Sequence, residues 1–272
     1  MKSYFFVPAN RLHKVSTIEA YGVDNLIIDL EDSIKQSEIS EFIVNLIAEE
    51  TYKKYFIRLH ILNDKHEIDL EVFHQLAKNG YQYFIIPKLQ NYNQAKTFFT
   101  LVQRYNFQFI ILVESPRFFI QLDAILEEFS SQICGVGIGS HDLLGLIGAK
   151  HTMSNLEFIR QSILYMAKAH EKETIDFASM NLKDQKAFSN ELTDAFDKGF
   201  DAKFFIHPWQ INCLNRLDFY NDEDYAWAKR IYKALEKVNF NDKEFNALKI
   251  DGEIVEKPHI NRAKRIIEYF KK

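Results

Sequence analysis

Two apolar segments of this chain each lead to a single carboxylate. Residues 107–113 are followed directly by Glu114, and residues 133–139 are followed within three positions by Asp142. A short, partly β-branched apolar run is typical of a strand that is buried on both faces. A carboxylate at the end of such a strand is costly unless a cation compensates its charge. Two carboxylates at the same ends of neighbouring parallel strands predict a site for a hard cation.

Ionisable residues also follow other apolar runs of the chain, at positions 8–11, 29–32, 58–60, 87–88 and 207–210. This set contains carboxylates and cations but no combination of Cys and His with the spacing of zinc ligands. Carboxylate oxygens without such a set favour Mg²⁺ or Mn²⁺. An ion held by only two carboxylates keeps positions open for water and for a 2-oxo acid, which chelates through its keto and carboxylate oxygens.

Each candidate also has a purely structural interpretation, and the residue types alone leave both open. Glu114 suits a cap of the following helix, and Asp142 suits an ordinary N-cap. The acidic residues at 29–32 suit the start of a helix. A buried Arg58 requires an anion, which is either an internal glutamate or a substrate. Lys88 suits a solvated surface.

The elements that would position these residues alternate along the chain. Apolar runs typical of strands lie at 3–7, 25–30, 55–61, 83–87, 107–113, 133–139, 174–178 and 203–207, with stretches of helical period between them. Alternating strands and helices imply right-handed crossovers and a parallel sheet. Eight such units predict an α/β fold, a closed (β/α)8 TIM barrel over residues 1–217. No dinucleotide-binding fingerprint follows any of the strands.

Beyond residue 217 the alternation stops, so residues 218–272 are predicted to form a C-terminal helical extension. Asn221 and the acidic residues at 222–224 predict the start of a helix that ends near Val238. Asp251 and Gly252 indicate a turn that places residues 253–257 on a short hairpin-like excursion. A terminal helix is expected to follow, through Ile267.

The composition excludes several functional classes. With 272 residues, 47% of them hydrophobic, the chain can bury a barrel-sized core. A net charge of −4 argues against nucleic acid as a partner. The two cysteines show no disulfide framework, which predicts a reducing compartment, the cytoplasm. The sequence contains no run of about 20 apolar residues, the length needed to span a membrane, so no membrane partner is expected.

The order of these segments resembles the HpcH/HpaI aldolase and citrate lyase family, in its citrate lyase β-subunit-like branch. The resemblance runs from Ser3 to the C-terminal helix. The resemblance rests on the segments FVPANR at 6–11, IDLEDS at 28–33, IR at 57–58, IPK at 86–88, LVES at 112–115, GSHDL at 139–143, IHPWQI at 206–211 and GEIVEKP at 252–258. The family consists of (β/α)8 barrels that cleave or form carbon–carbon bonds next to a carbonyl, often in CoA thioesters, with Mg²⁺.

By position, the resemblance implies the roles of five side chains. Glu114 and Asp142 match the metal-binding Glu and Asp of the family. Glu31 and Asp32 match an acidic pair that holds metal-bound waters. Arg58 matches the arginine that contacts the oxo acid and stabilises the developing enolate.

The resemblance also implies a catalytic lid. In stand-alone relatives a C-terminal lid carries a catalytic Asp and can close over a neighbouring subunit, so residues 218–272 are expected to be this lid in a homo-oligomer, a trimer or hexamer. Glu256 stands at the position of that Asp. Residues expected to bind substrate or CoA, from motif position and charge, are Arg11, Lys14, Lys88, Gly139 and Ser140.

Four residues depart from the family pattern. Glu256 lengthens the catalytic carboxylate by one methylene, which affects a base whose position matters on the scale of about 1 Å. His60 replaces an Asn, and His141 replaces the Glu of the usual Glu-Asp-Leu. Trp209 replaces a small residue and is expected to fill space near the mouth of the pocket.

The resemblance predicts a Mg²⁺-dependent carbon–carbon lyase, or a synthase in reverse. The expected substrates are a 2-oxo acid and a hydroxyacyl-CoA thioester such as malyl-, citramalyl- or citryl-CoA. Two alternatives stay open at this point. One is a class II aldolase that acts on free hydroxy-oxo acids without CoA, and the other is a barrel without catalysis that binds oxo acids or serves in assembly.

Overall fold

The computed structural model of the protein describes residues 1–32, 34–63, 65–237, 247–250 and 252–271. The chain divides into two units, Met1–Arg216 and Leu217–Lys272. Val238 and Asp251, predicted at a helix end and at a turn, lie outside the described residues, as does Ser33 of the IDLEDS segment.

Eight parallel strands close into a barrel in the first unit. In barrel order they are β1 Lys2–Pro8, β2 Asn25–Asp29, β3 Phe56–Arg58, β4 Tyr83–Ile86, β5 Gln108–Val113, β6 Ile133–Ile138, β7 Glu173–Asp176 and β8 Ala202–Phe205. Strand β8 pairs with β1 and completes the ring. The predicted (β/α)8 TIM barrel is therefore confirmed. Strand β3 is shorter than the predicted run at 55–61, because its pairing ends at Arg58.

Helices surround the barrel. Those of the first unit are α1 Val15–Glu19, α2 Ile39–Ala48, α3 Glu71–Lys78, α4 Tyr92–Val102, α5 Pro116–Ile120, α6 Leu122–Phe129, α7 Ser140–Ile147, α8 Met153–Ala169, α9 Gln185–Lys198 and α10 Pro208–Leu214, with short 3₁₀ helices at Ala9–Lys14, Gln36–Glu38 and Glu50–Lys54. Several begin at a side-chain cap, for example at Asn91, Thr152 and Asp184, whose side chains accept a backbone N–H of the first turn. Among the described residues, no helix is long and apolar enough to cross a membrane.

Side chains from alternate strand positions fill the barrel. The interior cluster contains Tyr4, Ile27, Ile85, Ile110, Leu112, Ile175, Ala202 and Phe204. Gly137 of β6 lies against this cluster, because a Cβ at that position would stand 2.6 Å from the Phe204 ring. Gly137 therefore makes room for a large aromatic side chain from β8.

The C-terminal unit has its own small core. It consists of α11 Asp222–Lys237, an antiparallel pair of strands, β9 Leu248–Ile250 and β10 Glu253–Val255, and α12 Lys257–Tyr269. Ala228, Ile231, Val255 and Ile260 are buried in it. The predicted helices and hairpin-like excursion are present, whereas the lid role of residues 218–272 stays a prediction.

A buried charge network lies between the barrel and its helices. Arg160 of α8 donates to both oxygens of Asp176 at 2.9 Å, and Lys203 donates to Asp176 at 3.0 Å. All three residues are completely buried. Arg160 also donates to Asp194 of α9 at 2.7 Å. Because two buried cations share one aspartate, the network ties β7 and β8 to α8 and α9.

We expect Asp176→Asn to lower the free energy of unfolding by about 3 kcal/mol, because it removes the negative charge that balances the buried positive charges of Arg160 and Lys203. Chemical denaturation of the full chain measures the change. Glu19→Gln serves as the control, since it breaks an exposed ion pair with Lys54 and should cost less than about 1 kcal/mol. Equal effects of the two substitutions would contradict a stabilising role of the buried network.

Candidate active site at the C-terminal ends of the strands

The polar strand ends meet around one cavity of about 350 Å³ in the first unit. Its apolar lining includes Phe6, Leu112 and Phe204. Its polar and ionisable lining consists of Arg11, Asp29, Asp32, Arg58, Glu114, Ser140, His141 and Asp142. The cavity therefore lies at the end of the barrel where enzymes of this fold carry their chemistry.

Glu114 is held in place from two sides. It directly follows β5, is only 4% exposed, and accepts the backbone N–H of Lys88 at 2.6 Å through Oε2. Gly139 lies against its other side, because a Cβ there would stand 2.2 Å from the Glu114 Cγ. The cap of α5 is Ser115, whose hydroxyl accepts the N–H of Phe118. The helix-cap interpretation of Glu114 is therefore wrong.

Asp142 lies in the first turn of α7, whose N-cap is Gly139. The N-cap interpretation of Asp142 is therefore wrong as well. Asp142 is exposed and lines the same cavity as Glu114. Its charge is one of the causes that raise the pKa of Glu114. The two predicted metal ligands therefore share one cavity.

Arg58 is anchored by Asp29, which was not predicted to have a role in the site. Its guanidinium forms two hydrogen bonds with Asp29, at 2.7 and 2.8 Å, and a third with Asp32 at 3.1 Å. It also lies 4.8 Å from the Phe6 ring centroid. Asp29 and Arg58 are register partners on β2 and β3, so the signal that could have found Asp29 was its place at the end of a strand.

The acidic pair lies between two cations. Glu31 is buried, with Arg58 Nη1 at 3.1 Å from one oxygen and Lys88 Nζ beside the other. Lys88 Nζ also lies 3.0 Å from Asp32. Within the described part of the chain, neither oxygen of Glu31 has a donor aligned for a hydrogen bond. The interpretation of residues 29–32 as a helix start is wrong, because α2 begins at Ile39 with Glu38 as its N-cap.

The electrostatics of this site fit a divalent cation. Burial, together with the charge of Glu31, raises the pKa of Glu114 to about 8. Burial also raises the pKa of Glu31 to about 7. Among the described residues, no three His, Cys, Asp or Glu side chains converge as a complete ligand set. Glu114 and Asp142 would therefore leave most positions of an ion to water and ligand, as Mg²⁺ prefers.

The other residues predicted to bind substrate or CoA differ in whether they line the cavity. Gly139, Ser140 and the exposed Arg11 line the cavity. The Ser140 hydroxyl also lies 2.8 Å from Nε2 of His151. Lys14 is exposed and is not among the described residues that line the cavity. The CoA-binding roles of Arg11, Lys14 and Lys88 stay predictions.

Two of the residues that depart from the family pattern have other contacts in the structure. Glu256 lies in the C-terminal unit and is the N-cap of α12, in a reciprocal capping box with His259. Trp209 packs against the Phe188 ring, with 5.7 Å between centroids, and is not among the described residues that line the cavity. The expectation that Trp209 fills space near the mouth of the pocket is therefore wrong, because α10 directs it toward α9.

An eight-stranded parallel barrel with paired carboxylates and an anchored arginine at its strand ends defines a (β/α)8-barrel enzyme. The chain belongs to the HpcH/HpaI aldolase/citrate lyase family, whose model matches residues 2–208. The resemblance to this family that the sequence segments indicated is thereby confirmed.

Individual relatives cover nearly the whole chain. Citrate lyase subunit beta of Haemophilus influenzae is 24% identical over 283 residues, covering 98% of this chain and 96% of that protein. Mitochondrial citramalyl-CoA lyase of Mus musculus is 23% identical over 291 residues, covering 98% and 85%. The crystal structure of CitE from Mycobacterium tuberculosis with magnesium, acetoacetate and coenzyme A matches with a TM-score of 0.80 at 22% identity, covering 100% of this chain and 98% of that one. This likeness shows a common fold.

The raised pKa of Glu114, about 8, predicts that cation binding depends on pH. Without a cation the buried carboxyl keeps its proton up to that pH, whereas in the unfolded chain it ionises near its ordinary pKa of about 4.3. The cation-free fold should therefore lose stability as pH rises from about 4.3 to 8, and bound Mg²⁺ should restore it. We expect the apparent dissociation constant for Mg²⁺ to rise about tenfold per pH unit below the pKa of Glu114.

Calorimetric titration with Mg²⁺ at several pH values measures this dependence, and thermal unfolding with and without Mg²⁺ measures its effect on stability. Glu114→Gln is the control, because its amide carries no proton that a cation must displace. The same Mg²⁺ affinity in the wild type at about pH 6 and about pH 9 would contradict the linkage.

Gly139→Ala should weaken Mg²⁺ binding by about ten- to hundredfold, because the added Cβ displaces the Glu114 carboxylate that it would otherwise overlap. Gly145→Ala is a matched control within α7, the helix that Gly139 precedes, because a Cβ at Gly145 would have nothing within 4 Å outside the helix's own backbone. Calorimetry with Mg²⁺ compares the two variants. If both bind as the wild type does, the close packing of Gly139 on Glu114 does not position the ligand.

Proposed function

We propose that this protein is a Mg²⁺-dependent carbon–carbon lyase, or a synthase in reverse, that acts on a 2-oxo acid and a hydroxyacyl-CoA thioester such as malyl-, citramalyl- or citryl-CoA. The observation that carries the proposal is the shared cavity of Glu114, Asp142 and Arg58. The activities named for the H. influenzae and mouse relatives support it, as do the magnesium, acetoacetate and coenzyme A of the M. tuberculosis crystal structure.

Glu114 and Asp142 are the residues that would hold Mg²⁺, and Glu31 and Asp32 would accept hydrogen bonds from its waters. The bound ion would supply Lewis-acid polarisation of the oxo-acid carbonyl. Its charge would also compensate a group of buried carboxylates whose pKa values burial has raised. Carboxylates at the ends of rigid strands need little rearrangement to serve as ligands.

Arg58 would stabilise the negative charge of the enolate. A guanidinium has five N–H donors, and Asp29 and Asp32 accept three hydrogen bonds from it in this structure. Donors therefore remain for a substrate oxygen. Because Asp29 fixes the plane of the group before substrate arrives, the charge is preorganised and costs little to orient during the reaction.

The lining of the cavity matches a small acid. Phe6, Leu112 and Phe204 provide an apolar part of the cavity lining beside the ionisable residues. Such a lining would hold the short carbon skeleton of glyoxylate or pyruvate and keep water from the carbanion. Arg11 and the other exposed cations, Lys14 among them, are proposed to attract the CoA phosphates.

Glu256 is proposed as the base that removes or returns the proton at the α-carbon of the thioester. Its carboxylate accepts the N–H of His259 in this structure, so it must exchange a capping hydrogen bond for the substrate proton. Residues 218–272 would act as the lid of a neighbouring subunit in a trimer or hexamer. This arrangement would explain why the base belongs to a separate unit of the chain.

Arg58→Met should lower kcat for carbon–carbon bond cleavage in the hydroxyacyl-CoA by about a hundred- to a thousandfold, because it removes a preorganised charge at the enolate. Release of the oxo acid from malyl-, citramalyl- and citryl-CoA measures the activity. Arg104→Met, which removes an exposed arginine outside the cavity, is the control and should retain the activity.

The same assay separates the alternatives. Cleavage of free hydroxy-oxo acids at equal rates without CoA would favour a class II aldolase. Absence of Mg²⁺-dependent binding of pyruvate or oxaloacetate by the wild type would contradict the lyase and favour a barrel without catalysis. Turnover by Arg58→Met equal to that of the wild type would contradict the role of Arg58.

A further inference from the structure

Lys88 has an unusual backbone conformation for its residue type. It follows Pro87 at the end of β4 and has φ of 58°, in the left-handed region that glycine adopts most readily. Among the described residues, only two other non-glycine residues, His66 and Glu171, have positive φ. Both of those are exposed, whereas Lys88 stands beside the buried carboxylates of the site. A conformation of this cost persists only where the surroundings enforce it.

The left-handed turn directs the N–H of Lys88 at Glu114. The hydrogen bond to Oε2 is 2.6 Å long and joins strand ends that are 26 residues apart in sequence. The other oxygen, Oε1, lies on the side of Gly139, where an added Cβ would stand 2.6 Å from it. One oxygen of Glu114 is therefore fixed by the Lys88 N–H, and the close approach of Gly139 limits the space available to the other oxygen.

The side chain of Lys88 accounts for the persistence of the turn. Its ammonium group pairs with Glu31 and lies 3.0 Å from Asp32. The Glu31 side chain is 1% exposed, so the pair is shielded from water on that side. Lys88 thus contacts Glu114 through its backbone and the acidic pair through its ammonium group. This one residue therefore connects Glu31 and Asp32 to Glu114.

We propose that Lys88 is a positioning residue for Glu114: its left-handed backbone fixes the carboxylate, and its ion pairs with Glu31 and Asp32 hold that backbone conformation. This inference rests on the proposed function in that Glu114 is taken as a metal ligand. It differs from the prediction that Lys88 binds a CoA phosphate, because its ammonium group is already shared by two carboxylates.

Lys88→Gly and Lys88→Ala form the decisive pair. Both remove the ammonium group, so they change the charge of the site equally, and both keep the backbone N–H. Glycine adopts the left-handed conformation freely, whereas alanine does so at a cost. We expect Lys88→Ala to bind Mn²⁺ about tenfold more weakly than Lys88→Gly, because alanine turns the N–H away from Glu114.

Free Mn²⁺ measured by electron paramagnetic resonance gives the affinity of the full chain without any substrate. Lys88→Asn and Lys88→Gln form a second matched pair if the alanine variant does not fold. Both replacements are neutral amides, but asparagine tolerates the left-handed region better than glutamine. We expect the asparagine variant to bind Mn²⁺ more tightly than the glutamine variant.

The outcomes distinguish this inference from the proposed function. Equal Mn²⁺ affinities within each pair would overturn the positioning role while leaving the metal site intact. A raised KM for the CoA thioester in all variants, with Mn²⁺ binding unchanged, would overturn it in favour of CoA binding. No Mn²⁺ binding by the wild type would overturn both the metal assignment and this inference. A purely structural role would lower the unfolding temperature without separating the members of a pair by Mn²⁺ affinity.

Discussion

The burial of the Glu114 carboxylate is the constraint on which the rest of the site depends. A side chain that is 4% exposed and faces the charge of Glu31 favours its protonated form, and its pKa is raised to about 8. The N–H of Lys88 offsets part of this cost, and a divalent cation would offset more of it. The fold therefore holds a carboxyl group that a bound cation would stabilise in its ionised form, and Lys88 and Gly139 contact it from two sides.

The barrel makes this arrangement rigid by linking the ends of adjacent strands. Asp29 of β2 and Arg58 of β3 are register partners and share two hydrogen bonds, so the positive charge of the site is fixed by strand pairing. Gly139, after β6, packs directly on Glu114, after β5. Because each contact crosses between neighbouring strands, the geometry of the site follows from the closure of the sheet.

Much of the fold and part of the site could be predicted from the sequence. Eight apolar runs separated by amphipathic stretches indicated the barrel, because parallel strands are buried on both faces. Glu114, Asp142 and Arg58 each follow or end a predicted strand, which indicated that they lie at the same end of the barrel. The structure places all three around one cavity. Asp29 also follows a predicted strand, but the sequence offered only a helix start for it and an internal glutamate or a substrate as the anion for Arg58. The contact of Trp209 with Phe188 could not be predicted from the sequence, because it depends on how α10 packs on α9.

The sequence by itself determined the number and order of the strands, the residues at their ends and the family to which the chain belongs. These follow from hydrophobic period and motif order, which can be read along the chain without knowing which residues meet in space. Only the tertiary structure decided which carboxylates face cations and which face one another. It also decided that Lys88 adopts a left-handed turn, that Gly139 leaves room for Glu114, and that Asp176 is shared by two buried cations. These features join residues far apart in sequence, and their energies depend on burial, which arises only when the barrel closes.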